Sequence, residues 1–456
     1  MNTISLLFTI LKIAIVVGFL ATVAAILTWA DRRQSAMMQD RVGPNRAEIT
    51  VFGFKIRLAG LLHTAADGVK FFFKEDFVPP NADKMLHALA PMLSLFPPLV
   101  VLGVVPFSDT LCLQELRVAG PDHAWIWQLG QAVPRFGVCA SSVPVGQYPA
   151  ISMQIVDVNV GVLFIFALTG MGIVGATIAG WSSDNKFSLL GGLRAASQLV
   201  SYEVAMGLSL VGCMMIYGTI RLDEMARWQG EHVWGVFVQP IAFVLFFAAA
   251  TAESKRLPFD LPEGESEIVA GYLLEYSGMK FGMFYFGEYM EVVTSSAFLV
   301  AIFLGGYNLP FLHRDGITIA VGDAMLWQRQ LPHLLIILMQ VGAFFSKVLF
   351  VCWFQLFVRW SLPRFRYDQL MKLGWRMLLP AALANIFLTG VIVLAIDRAG
   401  GDFLDRLSSI GDGVNLLLAM VMIFAFLALV WGFFSHTPRP IRPHAVARKT
   451  ARAPAT

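Results

Sequence analysis

Long apolar stretches separated by short polar segments dominate the pattern of this 456-residue chain. A helix needs about 20 mostly apolar residues to cross the hydrocarbon of a bilayer. About nine segments reach that length: 4–30, 88–107, 158–181, 190–218, 235–252, 281–306, 331–358, 376–396 and 413–434. The pattern therefore predicts an all-α polytopic membrane protein with about nine transmembrane helices.

Composition and charge agree with this prediction. Only 14% of the residues are charged, against about 25% in soluble domains. A net charge of +3 is too small to indicate nucleic acid as a partner. With the N-terminus outside, the inside segments contain 24 of the 34 Lys and Arg residues and the outside loops contain eight. Because cytoplasmic loops are enriched in these residues, we expect the N-terminus outside and the C-terminus in the cytoplasm.

The chain is predicted to form a single transmembrane domain over 1–434. Its larger loops are the first inside loop 31–84, the outside insert 108–157 and an acidic inside loop at 253–280. The tail at 435–456 is rich in Pro, Arg and Ala, and we expect it to be disordered.

The first inside loop contains an amphipathic pattern. Apolar residues recur at helical spacing at Leu58, Leu62, Ala65, Val69 and Phe72. The polar residues Asp67, Lys70 and Lys74 take the other face. We predict a helix lying in the membrane interface. A soluble helix in a small cytoplasmic subdomain is disfavoured, because three consecutive phenylalanines at 71–73 would be hard to cover.

The four cysteines form no metal-binding motif. Cys213 and Cys352 fall within predicted helices, where we expect them to pack. Cys112 and Cys139 share the outside insert. A disulfide between them is allowed on the oxidising side of the membrane, and a pair of free thiols is equally open.

The acidic loop contains the most distinctive chemistry. Over 253–275 only Lys255 and Arg256 oppose six carboxylates, which are Glu253, Asp260, Glu263, Glu265, Glu267 and Glu275. Carboxylates crowded at a low-dielectric boundary repel one another, so some should hold protons near neutral pH. This favours a proton relay or a redox-coupled charge switch over a merely solvated acidic loop.

Further carboxylates lie inside predicted helices. Glu203 is in the fourth helix, and Glu288 and Glu291 are one turn apart in the sixth. Ionisable residues at that depth are costly and by default are functional candidates. The alternative is a structural ion pair with Lys347 or Arg194.

Four motifs carry a resemblance to a known family. They are DRRQSAMMQDRVGPN at 31–45 with ADGVKFFFKEDFVP at 66–79, LLGGLRAASQLVSYEVAMGL at 189–208, AESKRLPFDLPEGESEIVAGYLLEYSGMKFGMFYFGEY at 252–289, and RWSLPRFRYDQLMKLGWRMLLP at 359–380. The chain resembles the H subunit of bacterial respiratory complex I, a proton-pumping NADH:quinone oxidoreductase with mitochondrial and chloroplast counterparts. The resemblance covers about 31–107 and 157–396.

The resemblance implies eight family helices, with the ninth as a C-terminal addition. It implies a multi-pass subunit of a translocating enzyme complex in the bacterial inner membrane, with no complete active site in this chain. The substrate would be a quinone, either ubiquinone or menaquinone, which reaches the chamber from the lipid. FMN and iron–sulfur clusters would belong to partner subunits of the complex.

Individual positions follow from the same resemblance. The quinone chamber would include Arg41, Asp67, Lys74, Arg256, Asp260 and Glu263. The proton relay would include Arg194, Glu203, Glu265, Glu267, Glu275 and Glu288.

The chain also departs from the family. Asp31 stands where a Glu is usual, and Lys255 replaces a small polar residue in the acidic loop. The stretch 49–60 is an insertion, and the outside insert is longer than in compact members. Two rival functions remain: a stand-alone ion transporter, disfavoured because no inverted repeat is visible, and a membrane subunit of an energy-converting hydrogenase, which would need no quinone.

Overall fold

The computed structural model describes residues 3–51, 54–56, 58–112, 150–262, 264, 268–313, 316–321, 324–399 and scattered positions between 411 and 421. Most of the outside insert and the whole tail lie outside the described residues, as does most of the predicted ninth helix. Cys139 also lies outside the described residues, so its pairing with Cys112 stays a prediction.

Helices make up most of the described chain. They are α1 (Thr3–Met38), α2 (Leu62–Phe73), α3 (Lys84–Val101), α4 (Gly161–Ser182), α5 (Lys186–Tyr217), α6 (Leu222–Glu231), α7 (Gly235–Val238), α8 (Pro240–Glu253), α9 (Gly278–Phe303), α10 (His333–Ser361), α11 (Tyr367–Lys372) and α12 (Leu379–Ala399). A π-helical turn, Leu373–Leu378, joins the last two.

Seven helices of the described chain are long and apolar enough to cross a membrane: α1, α3, α4, α5, α9, α10 and the continuous stretch from α11 to α12. This confirms the all-α polytopic prediction. The predicted fifth span, 235–252, is instead divided into α7 and α8, because Pro240 lacks the N–H that a continuous helix would require.

The α8 helix has 14 residues and is therefore about 21 Å long, shorter than a bilayer core. The backbone break before it is covered by protein. Gln239 donates a hydrogen bond to Thr389 Oγ1 at 2.8 Å and accepts one from Asn385 Nδ2 at 3.0 Å. Non-helical backbone at membrane depth is tolerated when it is buried in this way.

The central element of the bundle is α9, in which 17 of 26 residues are buried. Its carboxylates therefore lie among other helices. The loop between α8 and α9 folds against α5, where Gly191 permits the contact. A Cβ on Gly191 would lie only 2.5 Å from the Cα of Gly271. This close approach holds the acidic loop against the helices that carry the buried charges.

The predicted amphipathic helix is present as α2. None of its residues is buried, and Phe72 and Phe73 are 73% and 87% exposed.

Short strands, which the sequence pattern does not predict, occur only in loops of the described chain. They form a hairpin of β1 (Ile49–Val51) with β2 (Phe54–Ile56), a pair of β3 (Leu111–Cys112) with β4 (Ala150–Ile151), and an antiparallel sheet of β5 (Leu312–His313), β6 (Gly316–Val321) and β7 (Ala324–Gln330).

Candidate functional site

A buried arginine in the loop after α8 connects several charged and aromatic residues. Arg256 Nη2 lies 3.1 Å from Glu288 Oε2 of α9, and the Glu288 side chain is only 3% exposed. The guanidinium carbon of Arg256 lies 3.9 Å from the ring centroid of Tyr289. The Tyr272 hydroxyl donates to Glu288 Oε1 at 3.3 Å. Arg256, predicted for the chamber, and Glu288, predicted for the relay, thus belong to one network.

Asp31 extends this network to two further helices. Its carboxylate accepts hydrogen bonds from the Tyr289 hydroxyl at 2.8 Å and from Trp360 Nε1 at 2.6 Å, and it forms an ion pair with Arg359. Tyr289 therefore contacts Asp31 through its hydroxyl and Arg256 through its ring. The result is a continuous chain of polar contacts between α1, α9 and α10.

Asp260 lies at the edge of the loop, outside the membrane-spanning segments. Its Oδ2 is 2.8 Å from Nη2 of Arg364. Burial raises the pKa of Asp260 to about 6, although the neighbouring Arg364 acts in the opposite direction. A carboxylate with this pKa can change its charge in the mildly acidic range.

A second group of charges surrounds the end of α8. Lys255 Nζ is 3.7 Å from Glu291 Oε2. Glu253 interacts electrostatically with Glu203, Glu291 and Lys255 and also interacts with Thr169 of α4. A Cβ on the next residue of α4, Gly170, would lie 3.6 Å from Glu203 Oε1. Glu203 and Glu253 thus meet neighbouring residues of the same helix.

The remaining predicted relay residues are more dispersed. Glu275 accepts a hydrogen bond from Asn185 Nδ2 at 2.7 Å. Arg194 lies over the ring of Tyr367, 5.7 Å from its centroid. Glu263, Glu265 and Glu267 lie outside the described residues, and their roles stay predictions.

Lys347, one of the two cations that could pair with the buried carboxylates, has other contacts. Its ammonium donates to the carbonyls of Leu304, Gly306 and Asn308 at 2.8, 3.1 and 2.6 Å. It also lies 4.2 Å from the ring centroid of Trp234.

Two adjoining cavities lie between α1, α2 and α9. The first, of about 320 Å³, is apolar and includes Ala25, Phe72, Leu95, Met279, Met283 and Phe286 in its wall. The second, of about 380 Å³, is more polar and includes Arg32, Lys70, Lys74, Leu274 and Tyr276. Asp67, Phe71 and Tyr285 line both. Asp67 also forms an ion pair with Arg32 at 2.6 Å.

Arg41 lines a third cavity of about 310 Å³, together with Asp31, Arg32 and Trp360. Its Nη2 donates to Ser35 Oγ at 3.4 Å. These cavities are large enough for parts of an organic molecule. Within the described ranges, no group of three His, Cys, Asp or Glu side chains could hold a metal ion.

Sequence reasoning misses several members of these networks. In the sequence Asp31 is only a conservative departure from the family, and nothing in the motifs distinguishes Tyr272, Tyr289 or Arg359. Tyr289 directly follows the buried Glu288, so an aromatic beside an intramembrane carboxylate is an available signal. No local signal connects Tyr289 to Asp31, since 258 positions separate them.

Known proteins resemble this chain over most of its length. The model of the NADH dehydrogenase family matches residues 11–390, which extends the resemblance into the first helix. A protein of Flavobacterium johnsoniae is 38% identical over 390 residues, which cover 85% of this chain and 96% of the relative. Relatives from Flavobacterium psychrophilum and Geobacter sulfurreducens are 40% and 38% identical, over 85% and 84% of this chain and 98% and 94% of their own lengths. All three are named as H subunits of NADH-quinone oxidoreductase, with the numeral 1 added for the Geobacter protein.

Proposed function

This chain belongs to the H-subunit family of the NADH-quinone oxidoreductases, and we propose that it forms the quinone chamber and couples quinone reduction to proton translocation. It works as a subunit of the enzyme, with other membrane and peripheral subunits that hold FMN and iron–sulfur clusters. The complex lies in the bacterial inner membrane, with the N-terminus of this chain outside and its C-terminus in the cytoplasm. The names of the relatives support this function over a stand-alone transporter or a hydrogenase subunit.

The observation that carries the chamber proposal is the pair of adjoining cavities beside α2. A quinone has an apolar tail and a polar headgroup. The apolar cavity suits the tail, and the cavity beyond it, with Arg32, Lys70 and Lys74, suits passage of the headgroup towards the inner face. Each cavity lies within the range of about 300–1,000 Å³ that is typical of ligand sites.

Two tyrosines connect this passage to the charge network. Tyr285 lines both cavities, and its hydroxyl lies 3.2 Å from that of Tyr289. Tyr289 in turn contacts Asp31 and Arg256, and Arg256 contacts Glu288. A change of charge at the passage therefore has a short route to the carboxylate of the central helix.

The electrostatic energies are sufficient for coupling. Quinone reduction consumes two electrons and two protons, so charge appears and disappears at the headgroup. Two unit charges about 4 Å apart interact by about 4 kcal/mol at an effective dielectric constant of 20. Since one pKa unit corresponds to about 1.4 kcal/mol, such a charge shifts a nearby pKa by about three units. Protonation changes of Glu288, Glu253 and Glu203 would carry the signal into the membrane part, with Arg256 as the fixed positive charge beside Glu288.

A substitution that narrows the apolar cavity tests whether this cavity takes up the quinone tail. Gly68 lines the apolar cavity, and a Cβ there would meet no atom within 4 Å. Because Gly68→Phe places a ring in the path of the tail, we expect NADH oxidation with a long-tailed quinone to fall about tenfold. Oxidation with a short, hydrophilic quinone should fall less than twofold.

The matched control is Gly342→Phe in α10, where a Cβ likewise meets open space and which lines neither cavity. Both rates should remain as in the unmodified complex. Equal rates with long and short quinones in the Gly68→Phe complex would contradict the assignment of this cavity to the quinone tail.

A further inference from the structure

Lys255 directs its ammonium into the protein at a position where a long side chain is unusual. Its backbone has φ +54°, in the left-handed region that favours Gly and Asn. Its side chain is nonetheless only 3% exposed, and its Nζ lies 3.7 Å from Glu291 Oε2. A buried ammonium requires a counter-charge, because taking both ions out of water costs several kcal/mol per ion. Glu291 supplies a counter-charge from α9.

A second carboxylate interacts with the same cation. The charges of Glu203, Glu291 and Lys255 all act on Glu253, which is 8% exposed. Lys255 likewise acts on Glu291. One ammonium can form a close ion pair with only one of Glu253 and Glu291 at a time, so the partner that Lys255 takes decides which of the two can hold a proton.

A small cavity borders the ion pair of Lys255 with Glu291. It has a volume of about 20 Å³ and is lined by Ser94, Thr169, Lys255, Glu291 and Thr294, among others. One water needs roughly 10–15 Å³ and two to four polar partners. Thr169, which borders this cavity, also interacts with Glu253. The cavity thus has room for one water beside the ion pair.

We propose that Glu291 holds the Lys255 ammonium away from Glu253, and that this leaves Glu253 free to exchange a proton with Glu203. The exchange moves one proton from a carboxylic acid to a carboxylate, so the total charge and the number of protons are unchanged. Without Glu291, the ammonium pairs with Glu253 and keeps it ionised, and the exchange stops. Lys255 and Glu291 are positioning residues in this scheme, which rests on the coupling role proposed above.

The scheme predicts unequal effects of the two single substitutions. We consider the complete complex in inverted membrane vesicles, with NADH as the donor and a short-chain quinone as the acceptor. Glu291→Gln should lower the number of protons translocated per NADH at least fivefold, while NADH oxidation in the presence of an uncoupler stays within about twofold. Lys255→Asn removes the competing cation and suits the left-handed backbone, so its proton ratio should stay within about twofold.

The double variant gives the decisive measurement. Lys255→Asn combined with Glu291→Gln should restore the proton ratio to within about twofold of the unmodified complex. A static ion pair would instead make both single variants equally defective in assembly. Equal losses of the proton ratio in the two single variants, or a double variant that stays uncoupled, would overturn the proposal.

Two further variants complete the test. If Glu291→Gln yields no assembled complex, Glu291→Asp keeps the charge but lengthens the ion pair, and should give a partial loss that Lys255→Asn reverses. An Asp that is not rescued overturns the proposal as well. The control is the more exposed pair of Lys280 with Asp76, 2.9 Å apart, whose replacement by Asn at both positions should change nothing.

Glu203→Gln separates this inference from the coupling role itself. If Glu203→Gln abolishes proton translocation while Glu291→Gln translocates normally, only the Lys255 scheme is wrong. If Glu203→Gln also translocates normally, the proposed coupling through these carboxylates is wrong.

Discussion

Two regions around α9 solve the problem of a buried charge differently. In the middle of the helix, beside the acidic loop, Glu288 and Glu291 face Arg256 and Lys255, so each ion is paired with another ionisable group. Just beyond its C-terminal end, Lys347 is held by three backbone carbonyls of the turn that follows the helix.

The type of partner decides whether the charge around a buried cation can change. A carboxylate can change its charge by taking up a proton, and its partner then loses its counter-ion. A carbonyl cannot change its charge, and the negative end of the helix dipole favours a cation near it permanently. We therefore expect substitutions of the carboxylates in the middle of α9 to alter coupling, and substitution of Lys347 beyond its C-terminal end to alter stability alone.

The largest effect is expected in the middle of α9. Arg256→Met leaves the Glu288 carboxylate buried without its cation, a change that typically costs about 3–5 kcal/mol. The amount of assembled complex on a native gel should fall at least tenfold. Glu288→Gln should assemble better than Arg256→Met, because Arg256 keeps its contact with the Tyr289 ring and the amide oxygen can still accept hydrogen bonds, but it should lose proton translocation.

A surface pair serves as the control for this prediction. Arg366 lies 3.1 Å from Asp368, with its own side chain 74% exposed. Exposed pairs contribute little, so Arg366→Met should leave assembly unchanged. Normal assembly of the Arg256→Met complex would mean that the Arg256–Glu288 pair is not needed for assembly.

A second effect, on stability alone, is expected at the turn that follows α9. Lys347→Met removes the donor from three carbonyls, and each unsatisfied buried group costs about 1–3 kcal/mol. The temperature at which the complex loses NADH oxidation should fall, whereas protons translocated per NADH should stay the same. Lys347→Arg retains the charge and should lose less stability. A changed proton ratio in the Lys347→Met complex would contradict its role as an anchor.

The smallest effect concerns Asp260, at the edge of the acidic loop. Because its pKa is raised to about 6 from 3.8, the folded loop binds a proton more tightly than the unfolded chain. Asp260 therefore stabilises the loop most below about pH 4, and this contribution, on the order of 2–3 kcal/mol, is lost as pH rises through 6.

Hydrogen exchange of the loop 254–277, corrected for the intrinsic effect of pH, measures this contribution. Protection should decrease from pH 5 to pH 7 in the unmodified complex, and Asp260→Asn should reduce that decrease. The same pH dependence in both complexes would assign the titration to another group.

The sequence alone determined much of this protein. Long apolar segments have one stable solution in a bilayer, so seven helices long enough to span it and the amphipathic helix α2 could be predicted from local composition and period. The family motifs pointed to the loop at 253–275 and to Glu203 and Glu288, because charged residues in apolar surroundings are conspicuous in a sequence.

Only the tertiary structure decided the partners. Tyr289 meets Asp31 across 258 positions, Lys347 binds carbonyls rather than a carboxylate, and Lys255 faces Glu291. The break at Pro240 divides a segment that hydropathy reads as one span. The physical reason is that the cost of burying a charge is local, whereas the group that offsets it comes from whichever helix packs alongside.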